Sequence, residues 1–71
     1  MTPQELRAFR ARHGYTQSKL ATLLSFDGPS GVRNVLRWEN GHNETPAPVA
    51  RIVRAIERDP RVRLVFEAMA S

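Results

Sequence analysis

The sequence predicts an all-α domain of five short helices. Three observations lead there. No segment of the 71 residues sustains the period-two alternation of a strand. Helix start and stop signals recur along the chain. Between those signals, apolar residues return at the spacing of a helix face.

Thr2-Pro3-Gln4-Glu5 is a capping box, with Thr2 as N-cap, Pro3 at the first helical position and Glu5 reaching back. Leu6, Phe9 and Arg10 follow, and His13-Gly14 stops this helix with Gly14 at its C-cap. Thr16 caps a second helix, roughly Gln17 to Leu24, whose apolar face is Leu20, Ala21, Leu23 and Leu24. Ser25 to Gly31 is dense in turn residues and is predicted as a loop anchored by Phe26. Ser30 or Gly31 is expected to open a third helix running to about Asn40. Val35 and Trp38 should face inward there, with Arg33, Asn34 and Arg37 largely opposite. Asn40-Gly41 ends it, and a polar loop follows to Thr45. Thr45-Pro46 is expected to start a fourth helix by cap-plus-proline logic, with Val49, Ile52, Val53 and Ile56 inward. Asp59-Pro60 breaks that helix and starts a fifth, where Val62, Val65, Phe66 and Met69 form an apolar stripe. Residues 1–71 read as one domain. The C-terminal helix, 60–71, either completes the core or joins two subunits.

Composition narrows the function. The absence of cysteine excludes disulfides and thiolate metal sites and fits a reducing cytosol. Two histidines make a histidine-rich metal site improbable. Met1-Thr2-Pro3-Gln4-Glu5 lacks the basic start and apolar run of a signal peptide, and no apolar run is long enough for a membrane. A cytoplasmic protein with no membrane association, metal or cofactor is expected. No Ser/His/Asp or Cys/His set and no glycine-rich phosphate loop is present, so no enzyme is expected. Eleven Lys/Arg against seven Asp/Glu give +4, and Lys19 is the sole lysine. Arginine suits bidentate contacts to phosphate and guanine. A GC-rich genome produces the same enrichment, so charge alone leaves both origins open.

Two short helices joined by a turn, the second basic and polar on its exposed face, describe a DNA-reading helix-turn-helix. Thr16-Gln17, Leu20-Ala21, Leu24, Val35 and Arg37-Trp38-Glu39-Asn40-Gly41 together resemble the Cro/C1-type (XRE-like) regulator family, over about Leu6 to Val53. The resemblance implies a lambda-repressor-like fold and a sequence-specific regulator of transcription. It also implies that Arg10, at the end of the first helix, pairs with Glu39, which would hold the arginine near the DNA backbone. The turn before Val35 is longer than in the family pattern by Asp27-Gly28-Pro29-Ser30-Gly31. That insertion puts the register of the third helix in question. Pro46-x-Pro48 and Asp59-Pro60 resemble the tails of short regulators from toxin–antitoxin modules and phage operons, including those beside anti-CRISPR genes. Such proteins commonly repress their own promoters as homodimers.

Each candidate residue has a physical role and a blander one. Val32, Arg33, Asn34 and Arg37 are the base-reading candidates. Arginine grips guanine, Asn34 can pair with adenine, and Val32 can touch a thymine methyl. Any of them can instead be solvated or phosphate-bound. Gln17, at a positive helix start, is a phosphate candidate or a plain first-turn residue. Ser30, Gly31, Asn40 and Arg10 complete the phosphate set, and Asn40-Gly41 also serves as a helix end. Ala21 is small so that helices can approach. Trp38 is read as core, because stacking platforms suit unpaired bases. Val62, Val65, Phe66 and Met69 are the dimer-interface candidates. Arg51, Arg54, Arg58, Arg61 and Arg63 flank DNA or form a solvated face. The expected partners are double-stranded DNA, as an inverted-repeat operator, and a second copy of the chain. The alternative is an antitoxin-type module whose main partner is a toxin or another protein. A non-specific architectural binder fits less well, because a charge of +4 is modest for that role.

Overall fold

The computed structural model describes residues 1–26 and 28–70. Five helices account for most of them: α1 (Pro3–Arg12), α2 (Gln17–Leu23), α3 (Gly28–Asn40), α4 (Ala47–Arg58) and α5 (Pro60–Met69). No strand occurs among the described residues. The all-α expectation holds.

The helix starts follow their caps. Thr2 Oγ1 accepts from the Glu5 amide at 3.1 Å, and Glu5 Oε1 accepts from the Thr2 amide at 2.7 Å. That reciprocal pair satisfies two of the donors a helix start leaves open. Thr16 Oγ1 accepts from the Lys19 amide at 3.0 Å, and Asp59 Oδ1 from the Arg61 amide at 2.9 Å.

The ends of α1, α2 and α3 share one device. Tyr15 N–H donates to Arg10 C=O at 3.0 Å and Gly14 N–H to Ala11 C=O at 3.1 Å. Phe26 and Ser25 repeat this on Ala21 and Thr22, and His42 and Gly41 on Arg37 and Trp38. These paired bonds are Schellman motifs, which need one residue in the left-handed region. Glycine fills that position after α1 and α3. Ser25, at φ 68°, fills it after α2.

Two expected boundaries are corrected. Ser25–Gly31 is not all loop: α3 already begins at Gly28, so Pro29, Ser30 and Gly31 form its first turn. Proline has no N–H to lose there, so Gly28-Pro29 reads as a helix start as readily as a turn. Asp27, part of that expected loop, lies outside the described residues. Nor does Thr45 cap α4. The cap is Pro46, which makes no side-chain bond, and Thr45 is buried. Pro48 then occupies the first turn.

One cluster of buried residues joins the first four helices, with Leu6, Phe9, Leu20, Val35, Val53 and Ile56 among its members. Trp38 is 5% exposed, a core residue as expected. Phe26 packs edge-on against it, ring centroids 5.4 Å apart. α5 buries no residue fully; Val62, Phe66 and Ala70 lean on the cluster. No helix is long and apolar enough to cross a membrane, among the described residues.

Candidate nucleic-acid interface

The third helix is fixed at both ends. At its start, Gly31 is buried, and a Cβ there would sit 1.5 Å from the Phe26 carbonyl oxygen. Only glycine lets the chain leaving α2 lie so close to α3. Ala21, 1% exposed, is the small residue on the α2 side, and α3 packs more extensively on α2 than on any other helix.

At its end, Glu39 is 2% exposed, an unusual place for a carboxylate. It sits inside a closed polar bracket. Arg10 Nε donates to Oε2 at 2.7 Å and Arg10 Nη2 to Oε1 at 3.1 Å, a bidentate pair. Gln17 Nε2 donates to Oε1 at 3.3 Å. Arg10 Nη1 donates to the Tyr15 carbonyl at 3.3 Å, and Arg7 donates to the Glu39 carbonyl. One buried carboxylate thus ties the end of α3 to α1, to the α1–α2 turn and to the start of α2. The Arg10–Glu39 pairing expected from sequence is present.

The opposite face of α3 is open. At about 100° per residue, Ser30, Arg33, Arg37 and Asn40 fall within one sector, and all four are exposed. Val35, Trp38 and Glu39 occupy the buried side. Arg33 and Arg37 have no carboxylate within ion-pair distance among the described residues, whereas Arg10, Arg12, Arg61 and Arg63 all do. Val32 and Asn34 are half-buried at the two margins of the face.

The expected set therefore divides. Arg33, Arg37, Ser30 and Asn40 come together. Gly31 is buried against Phe26 and has no open approach, a correction to its expected place at the surface. Arg10 commits its three side-chain nitrogens to partners inside the fold. Gln17 commits one amide hydrogen to Glu39 and keeps the second. Leu36, 42% exposed on the same face as Arg33 and Asn40, was missed by the sequence reading. Its signal was its position three residues after Arg33. Adjacency to Val35 disguises it as core.

The C-terminal stripe divides as well. Val62 and Phe66 pack on the core, while Val65 (57% exposed) and Met69 (72%) do not. Leu64, also 57% exposed, joins those two. α5 is held by a bond the sequence did not suggest, Tyr15 Oη donating to Glu67 Oε2 at 2.5 Å. Burial, followed by the Glu67 hydrogen bond and charge, pushes the Tyr15 hydroxyl up to about 12. His13 stacks on Tyr15 with ring centroids 5.6 Å apart. Its pKa is lowered by burial first and by the positive charges of Arg63 and Arg12 next.

No family model, curated protein or solved structure matches the chain.

Proposed function

We propose that the chain is a helix-turn-helix protein of the Cro/C1 type. It binds specific double-stranded DNA through α3 and represses transcription as a homodimer on an inverted repeat. The observation that supports this best is the open face of α3. Arg33 and Arg37 are exposed there without ion-pair partners among the described residues, on a helix whose other side is locked at both ends.

In this reading α2 and α3 are the paired helices, and α3 lies in the major groove. Arg33 and Arg37 grip guanines, each good contact contributing roughly 1–3 kcal/mol of discrimination. Asn34 and Val32 act from the margins. Leu36 is the better candidate for a thymine methyl, since Val32 is half-buried. Ser30, Asn40 and the free amide hydrogen of Gln17 meet phosphates. The exposed Leu64, Val65 and Met69 meet a second copy, and half-sites lie about 34–36 Å apart. Repression follows from occupying a promoter.

The protein-interaction module stays as a second reading on one observation. Leu36 places an apolar side chain within the polar face of α3. An NMR titration of the labelled chain with mixed-sequence duplex separates the two. DNA binding shifts Ser30, Arg33, Arg37 and Asn40, and the affinity falls steeply with added salt. Unshifted α3 resonances at low salt would contradict the DNA reading.

A further inference from the structure

A second surface lies on α1 and α4. A groove of about 550 Å³ runs between them, with Met1, Ala8 and Val53 among its apolar lining and Arg54 and Arg58 on its α4 edge. A second groove, about 400 Å³, shares Met1 and Arg54 and continues to Arg51. Arg51, Arg54 and Arg58 are exposed and fall within one narrow sector of α4. None has an ion-pair partner among the described residues.

Of the acids nearby, two are already engaged, while Glu44 lines the second groove beside Arg51 and Arg54. Glu57 pairs with Arg12, and Glu5 closes the Thr2 capping box. The Thr2 hydrogen bonds chiefly lower the Glu5 carboxyl, with a small share from the charge of Arg54. What remains is a row of three guanidinium groups without ion-pair partners among the described residues, two of them on the edge of the apolar floor.

We propose that this track docks an acidic peptide segment of a protein partner. Its carboxylates would meet Arg51, Arg54 and Arg58, and an apolar side chain would enter the floor between α1 and α4. Charge complementarity sets the sign. The apolar lining of the larger groove sets the class. A peptide can set an apolar side chain beside its carboxylates, whereas a phosphodiester has no apolar group for that floor. This inference does not depend on the DNA reading, because it uses none of the α3 residues.

The test is selection from a random displayed-peptide library on the intact chain, followed by NMR mapping of the winning peptides. Enrichment of Asp/Glu beside an apolar residue is expected, with shifts at Ala8, Val53, Arg54 and Arg58. The exposed double variant Arg54→Glu/Arg58→Glu should weaken those peptides about tenfold, as loss of two exposed pairs implies. Retained folding of the variant is read from its own spectrum. No enrichment over the double variant, or winners without acidic residues, would overturn the proposal. So would mixed-sequence duplex DNA shifting Arg54 and Arg58 as strongly as it shifts Arg33 and Arg37.

Discussion

At the residue scale, the most consequential side chain is Glu39. Its carboxylate is buried and accepts from Arg10 and Gln17. Glu39→Ala removes the acceptor of a part-buried pair whose arginine is 25% exposed, and hydrogen bonds to charged groups contribute roughly 1.5–3 kcal/mol. Domains this small have little stability in reserve. Thermal denaturation should therefore show a large drop in Tm or no cooperative transition; an unchanged Tm would show that the bracket contributes nothing. Ser25 offers the opposite case. Its left-handed backbone costs about 1–2 kcal/mol, while a glycine adds about 0.5–1 kcal/mol of unfolded-state entropy. Ser25→Gly should raise stability by up to about 1 kcal/mol in denaturant unfolding. Arg33→Ala and Arg37→Ala belong to the open face. Each should weaken specific binding by about 1–3 kcal/mol and leave Tm nearly unchanged. Equal losses on specific and random duplexes would make that arginine a phosphate contact.

At the scale of elements, most of the helix starts and stops were legible because they are local chemistry, the Gly14 stop of α1 among them. Thr2, Thr16 and Asp59 bond their own first turns, and Asn40-Gly41 closes α3. The start of α3 was not legible. Gly28-Pro29 suits a turn and a helix entry alike, and the choice rests on a tertiary contact, Gly31 against the Phe26 carbonyl. Thr45 failed for a related reason: a residue that can cap is also one that can be buried in a corner. The pairing of Arg10 with Glu39 was legible only through the resemblance, since the two lie far apart in sequence. The Tyr15–Glu67 bond carried no sequence signal beyond Tyr15 following the α1 stop.

His13, stacked on Tyr15 and 3.5 Å from Glu57, makes this corner of the fold sensitive to pH. His13 is lowered in the folded chain, so the unfolded chain binds more protons just below the ordinary histidine range. Its contribution is complete above about pH 6.5 and is lost as pH falls through the folded value. Stability should decline on acidification over that interval, and His13→Phe should flatten this part of the profile. A slope identical in the variant would remove His13 as its source.

At the scale of the whole molecule, the fold presents three different faces. The α3 face is polar and basic, the α5 face is apolar, and the α1–α4 track is basic over an apolar floor. The proposed homodimer on DNA would use the first two and leave the third free for a protein. Salt separates the DNA contact from the rest, because released counterions make affinity fall steeply with ionic strength. Sequence-specific DNA reading by the proposed recognition helix α3 is tested by selection of bound duplexes from a random pool at near-physiological salt. An enriched inverted repeat is expected, with half-site centres about one helical turn apart, lost in the Arg33→Ala/Arg37→Ala variant. A pool that stays random, or a motif that survives in that variant, would contradict it.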